Sequence, residues 1–217
     1  MKIGILGTGM VGNTIGSKLV QLNYQVKMGS RSAENPKGAE WVKSAGENAS
    51  QGTFAEAAAF GEIIFNCTKG EFSLAALHEA GAGNMAGKIL VDVANPLDFS
   101  KGMPPSLLPE LTNTTSLGEE IQKAFPQVKV VKTLNTVNCN LMVDARLLDA
   151  EHDLFICGND DAAKVSIKHI LREDFKWASI IDLGDITNSR ATEMILPLWV
   201  RLYGKLQTPN FNLKVVT

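Results

Sequence analysis

KIGILGTGMVG, residues 2–12, runs from an apolar stretch directly into three glycines spaced G-x-G-x-x-G. Each glycine has its own physical task where such a turn joins a strand to a helix. Gly7 makes the tight turn, Gly9 lets the backbone approach a pyrophosphate, and Gly12 lets helix and strand pack closely. An amphipathic stretch continues to Leu22. Read as a helix, it points free amides and the positive end of its dipole at phosphate oxygens. The plainer reading is a glycine-rich turn without a ligand; the flanking strand and helix favour the dinucleotide site.

Further short apolar runs, bounded by glycine or polar residues, recur at Gln25 to Gly29, Glu62 to Cys67, Lys88 to Val93 and Val128 to Leu134. Helical stretches separate them. Repeated strand-helix-strand units predict an α/β fold of the Rossmann type, a doubly wound and mostly parallel sheet with ligands at the strand carboxyl ends. The segment from Val93 to Ser116 gathers four prolines and reads as a long irregular connection. Later strands are expected at His152 to Gly158 and Trp177 to Gly184, around a helix starting near Asp160 and Asp161. The last helix, Ser189 to Gly204, is apolar enough for burial, with Pro197 set to kink it. Residues 1–139 are expected to form the dinucleotide-binding domain and 140–217 a small α/β annex.

A net charge of −2 gives no general attraction for nucleic acid or anionic membrane, so neither partner is expected. No run approaches the ~18 apolar residues of a membrane span, and the N-terminus reads as chemistry rather than a signal peptide, so a cytoplasmic location is expected. Cys67, Cys139 and Cys157 show no metal or redox spacing and read as reduced thiols, mostly buried.

The second strand decides the nucleotide. An acidic residue after it would bind the ribose 2'-hydroxyl of NAD and repel the 2'-phosphate of NADP. Here the chain reads GSRS, residues 29–32. Ser30 and Ser32 can donate hydrogen bonds and Arg31 can grip a phosphate with its fork of donors, so NADP(H) is the expected cofactor. Lys37 either adds a second positive charge or is a solvated lysine at a helix start.

GILGTGMVGNTIGSKL, GSRS, FNCTKGE, VANP, KVVKTLNTVN and DLGDITNSRATEMILPLW occur in this order along nearly the whole chain. Together they resemble the coenzyme F420-dependent NADP oxidoreductases, whose dinucleotide domain is shared with membrane ferric reductases. The resemblance implies that Thr8, Gly9, Met10, Val11 and Gly12 wrap the pyrophosphate while Ser30 and Arg31 hold the 2'-phosphate. It further implies that Thr68 and Lys69 lie near the ribose and nicotinamide, with Asn95, Pro96 and Asn135 bordering the nicotinamide. It also implies a homodimer, to which the apolar last helix and the NFNLKVV tail would be suited; core packing is the favoured reading of that helix.

No catalytic constellation stands out, and none is needed where nicotinamide and a flavin-like ring exchange a hydride. His78, His152 and His169 read as surface or structural. Asp92, Asp182, Asp185 and Glu193 have no recognised metal-ligand spacing and read as helix caps and buried hydrogen-bonding groups. Thr136, Asn138 and Asn140 either orient a substrate carbonyl or satisfy a turn. The leading expectation is hydride transfer between NADP(H) and coenzyme F420 as a small-molecule acceptor. A flavin or ferric reductase and a non-enzymatic NADP(H) sensor are alternatives. A hydroxy acid or imine dehydrogenase would need an acid such as lysine near the substrate and a longer helical second domain.

Overall fold

In the computed structural model, which describes residues 1–217, the glycine turn joins β1 (Lys2–Leu6) to α1 (Met10–Gln21). Then come β2 (Gln25–Ser30), α2 (Pro36–Ala45), β3 (Ala49–Thr53), α3 (Phe54–Phe60) and β4 (Ile63–Asn66). They are followed by α4 (Gly70–Ala80), a short α5 (Ala82–Met85) and β5 (Ile89–Asp92). The proline-rich connection forms a small antiparallel ribbon, β6 (Leu97–Asp98) with β7 (Ser106–Leu107), before α6 (Leu117–Ala124) and β8 (Lys129–Thr133). The chain ends with α7 (Cys139–Val143), β9 (Asp153–Cys157), α8 (Asp161–Glu173), β10 (Ser179–Asp182), α9 (Ser189–Met194) and α10 (Leu196–Leu206).

Eight strands form one sheet in the order β10-β9-β8-β5-β4-β1-β2-β3. All neighbours run parallel except β8 and β9, which pair antiparallel with Lys132 opposite Cys157. The expected doubly wound α/β sheet is therefore present. Its order reverses between β1 and β4, which opens a crevice at their carboxyl ends, where open α/β sheets bind ligands.

Side-chain alternation explains the two layers. Ile3, Ile5, Val26, Met28, Ile63, Phe65, Val91 and Val131 join the core on one face, with Ile15 and Leu19 of α1 and Trp41 of α2. Leu6, Ile64, Leu90 and Val130 join the core on the other, with Phe54 and Ala57 of α3 and Ile121 of α6. Central strands buried on both sides must be apolar on both sides, which is how the expected runs read.

Local signals place the helix starts. Asn35 accepts from the Lys37 and Gly38 amides ahead of Pro36, and Thr53 and Glu56 form a reciprocal capping box on α3. The Asp160 side chain accepts from the Ala163 amide at 2.8 Å. The last helix departs from its expected burial. It divides at Ile195, with Pro197 in the first turn of α10, and of α10 only Leu196 is buried. Leu198, Tyr203 and Leu206 are 51%, 43% and 50% exposed, so core packing is not what makes this helix apolar.

Candidate functional site

The glycine turn has the shape its spacing implies. Gly7 sits at φ 119°, where an L side chain is strained, and its N–H donates to the Gly29 carbonyl at 3.0 Å. A Cβ on Gly12 would run into the Gly7 carbonyl. One on Gly9 would meet nothing within 4 Å. Gly9 is thus not demanded by the protein's own packing; it leaves open the space in front of α1, whose first turn no side chain caps. A pyrophosphate fits that opening and the free amides behind it.

At the end of β2, beside this turn, the Ser30 hydroxyl donates to the Ser32 carbonyl at 2.7 Å and the Ser32 hydroxyl to the Glu34 carbonyl at 3.0 Å. Both expected donors are therefore engaged within the turn. Arg31 is exposed and has no hydrogen bond or ion pair to the protein, so its guanidinium is the free cation there. Lys37 stands across from the glycine turn, lining a 430 Å³ cavity with Thr8, Gly9, Met10 and Asn13.

A second cavity of 680 Å³ opens at the ends of β4, β5 and β8 and is closed on its far side by α10. Met10 and Val11 enter it from the glycine turn, Thr68 and Lys69 from the end of β4, and Asn95 and Asn135 from the β5 and β8 loops. Met10 lines both cavities, so the two are neighbours along one edge of the sheet. Pro96 lies buried beside Asn95, its carbonyl accepting the Leu108 N–H at 2.8 Å. None of the three histidines reaches this cavity. Cys67 does; burial pushes its thiol far above the ordinary range, with Asp92 adding to the shift, so it stays neutral.

The amides of Asn95 and Asn135 bond reciprocally, Asn95 Nδ2 to the Asn135 carbonyl at 2.8 Å and Asn135 Nδ2 to Asn95 Oδ1 at 2.9 Å. Asn135 Nδ2 also donates to the Thr192 carbonyl of α9 at 3.0 Å. Thr68 is fixed as firmly: its hydroxyl donates to Asn66 Oδ1 at 2.7 Å and lies 2.8 Å from Ser73 Oγ. Asn66 Nδ2 in turn donates to Asp92 Oδ1 at 2.8 Å. Of the residues expected around the nicotinamide, Thr68, Asn95 and Asn135 are thus brought together and held, whereas Lys69 is exposed without a side-chain partner and Pro96 lies outside the cavity lining.

Behind them lies a cluster that the sequence did not reveal. Lys132, fully buried, donates to Asp92 Oδ2 at 2.8 Å, to Glu193 Oε1 at 2.7 Å and to the Ala94 carbonyl at 2.6 Å. Glu193 also accepts from the Leu117 and Gly118 amides at the start of α6. Burial alone would lower the Lys132 pKa; Asp92 and Glu193 more than offset it, so the ammonium is held charged. Asp92 and Glu193 were legible as buried hydrogen-bonding groups, but the lysine joining them was not. Asp185, as expected of it, caps the turn before α9 through the Thr187 amide. Asp182 pairs instead with Lys164 and Lys168 of α8, and no group of three or more His, Cys, Asp and Glu could hold a metal ion. Asn138 caps α7, and only Thr136 of that turn keeps an unpaired hydroxyl.

A candidate F420-dependent NADP reductase from Arthrobacter sp. FB24, solved as a crystal structure, superposes on the chain with a TM-score of 0.94 and 48% identity over the full length of both. The chain belongs to the coenzyme F420-dependent NADP oxidoreductase family. The family model, described as NADP oxidoreductase coenzyme F420-dependent, matches residues 2–96, from β1 past the end of β5. The F420-dependent NADP reductase of Methanocaldococcus jannaschii is 28% identical over 99% of this chain and 98% of its own length. The metalloreductase STEAP3 of Rattus norvegicus is 31% identical over 91% of this chain, which spans 38% of that protein's length. As a member of the F420-dependent NADP oxidoreductase family, the chain is an NADP-dependent oxidoreductase. The uncrowded Gly9, uncapped α1 and unpaired Arg31 fit the nucleotide. No helix is long and apolar enough to cross a membrane.

Proposed function

We propose that the protein passes a hydride between NADP(H) and a flavin-like ring, with coenzyme F420 as the first candidate. The observation that supports this most is the pair of adjoining cavities along one sheet edge. One is lined by the glycine turn, α1 and α2, with Lys37 and Glu40 as its charges, the other mainly by apolar side chains, and Met10 stands between them. In this reading Gly7, Thr8, Gly9, Met10, Val11 and Gly12 receive the pyrophosphate. Arg31 grips the 2'-phosphate with Ser30, Ser32 and Lys37 around it. Thr68, Lys69, Asn95, Pro96 and Asn135 border the nicotinamide. Residues 1–139 act as the nucleotide-binding part, and 140–217 as an annex that closes the acceptor side.

When bound, the nicotinamide supplies the hydride chemistry. The chain's own contribution is alignment: Asn95 and Asn135 lock two loops into one wall, and Thr68 is clamped through Asn66 and Ser73. The apolar lining, which includes Val93, Leu97, Val137 and Leu196, excludes water from two stacked rings held at attack distance. No acid or base is required at the transferring carbon, and none lines the cavity apart from the exposed Lys69, Glu71 and Tyr203 and the cysteine thiols.

A second reading exchanges the deazaflavin for a flavin. It draws support from the 31% identity to a metalloreductase and from the cavity's charge, since Lys69 is its only cation and coenzyme F420 carries an acidic tail. The test is anaerobic absorbance of the purified protein with NADPH and coenzyme F420, with FMN in a parallel cuvette. Bleaching of the deazaflavin with NADPH but not NADH supports the first reading. Bleaching of FMN alone supports the second, and bleaching of neither replaces both with a nucleotide sensor.

A further inference from the structure

The β8 loop that delivers Asn135 is strained. Leu134, 1% exposed, sits at φ 63°, a left-handed conformation that costs a branched side chain on the order of 1–2 kcal/mol. The strain is held by the hydrogen bonds of Asn135 to Asn95 and Thr192, and what it delivers next is Thr136. Thr136 is 3% exposed, lines the 680 Å³ cavity, and its hydroxyl has no partner. On the α10 side of the same cavity the indole N–H of Trp199 is likewise buried and unpaired.

Every other polar side chain fixed in this cavity is already used. Asn95 and Asn135 bond each other, Thr68 bonds Asn66, and Asn138 caps α7 and donates to the Pro209 carbonyl at 2.5 Å. An unpaired buried polar group costs about 1–3 kcal/mol, so two of them in one cavity call for a partner. Trp199 is not free to turn away: its ring stacks on Tyr203 at 5.8 Å and on Phe211 at 5.1 Å.

We propose that Thr136 and Trp199 are the acceptor-recognising residues, reading hydrogen-bond acceptor atoms on the rim of a flat conjugated ring seated between the β8 loop and α10. The proposal rests on the hydride-transfer reading above and specifies its acceptor. Indole is a donor only, so the group facing Trp199 is a carbonyl oxygen or an unprotonated ring nitrogen, whereas Thr136 serves either partner. Aliphatic and aromatic walls suit the faces of such a ring. Both atoms are screened from water, so a ligand atom that reaches either of them meets no competition from it.

The test uses Thr136→Val, which keeps the shape and removes the hydroxyl, and Trp199→Phe, which keeps the stacking and removes the N–H. Steady-state rates with coenzyme F420 and with FMN are read beside the NADPH dissociation constant from nucleotide fluorescence. Each variant is expected to raise the acceptor KM about tenfold, the size of one lost hydrogen bond, with the NADPH dissociation constant within about twofold of wild type. Thr136→Ser is expected to restore the acceptor KM, which a packing role for the threonine methyl would not allow. Unchanged acceptor KM, or a loss confined to NADPH binding, overturns the proposal while leaving hydride transfer in place. A wild-type protein that binds NADPH but reduces neither ring brings down the hydride-transfer reading, and this proposal with it.

Discussion

Lys132 Nζ lies 2.7 Å from Glu193 Oε1 in the interior, tying the sixth strand of the parallel set, β8, to a helix more than fifty residues later. Both Glu193 oxygens accept only from donors: Lys132, Leu117 N–H and Gly118 N–H. That pattern suits the ionised form, while burial pushes the Glu193 carboxyl above its ordinary range and Lys132 offsets this only in part. The cluster holds the turn after β5 through Ala94 and the start of α6 through Glu193. Glu193→Gln removes one buried charge and leaves the lysine only partly paired, so a loss of about 3–5 kcal/mol is expected. Urea unfolding measures it; a loss below ~1 kcal/mol would show that the cluster does not brace the site.

Arg31 is the residue on which the choice of nucleotide turns, because the neighbouring serine hydroxyls are engaged within their own turn. Arg31→Ala removes a charge-assisted contact worth about 1.5–3 kcal/mol, so NADP(H) affinity is expected to fall roughly ten- to a hundredfold. NAD(H) affinity should hardly move. Calorimetric titration with both nucleotides reads the difference, and equal affinities before and after the substitution would remove Arg31 from the site.

Gly9 and Gly12 make a matched pair of opposite character. A Cβ at Gly12 collides with the Gly7 carbonyl, whereas one at Gly9 meets no protein atom within 4 Å. Gly12→Ala should therefore destabilise the fold, by about 1–3 kcal/mol for an overpacked site. Gly9→Ala should leave the melting temperature nearly unchanged and weaken NADPH binding, because its methyl would occupy the space the phosphates need. Thermal melts with and without NADPH separate the two effects. A Gly9→Ala protein that binds as wild type would place the phosphates elsewhere.

The glycine turn and the central strands were legible because their constraints are local: close packing demands glycine at Gly12, and burial on both faces demands apolar runs such as Ile63–Asn66. β3 was not. Ala49–Thr53 reads ASQGT, a polar segment at the sheet edge whose residues are half-buried, so neither alternation nor apolarity marks it. α10 misled in the other direction, since an apolar helix with exposed Leu198 and Leu206 has the same composition as one in a core. Lys132 was hidden for a third reason. A lysine in KVVKTL looks like a solvated strand residue until β5 and α9 bring Asp92 and Glu193 to its ammonium.

Asp182 gives the fold a distinct acid signature. Burial by itself would raise its pKa, but Lys168, the Gly184 amide and Lys164 more than offset it and bring the carboxyl down to about 2. A carboxylate whose folded pKa lies below its unfolded value of about 3.9 contributes stability above that value and loses it as pH falls towards the folded pKa. The Asp182 side chain is 31% exposed, Lys168 is partly exposed and Lys164 is buried, so solvent screening at the carboxylate reduces the contribution to about 1 kcal/mol. The pair joins the end of β10 to α8, and the wild type should melt above Asp182→Asn at pH 7. That advantage is expected to shrink between pH 4 and pH 2, to roughly nothing at the lower end. Melting curves of both proteins across that range decide it: a gap independent of pH would mean that Asp182 acts through neutral hydrogen bonds to the turn at Gly184 rather than through its charge.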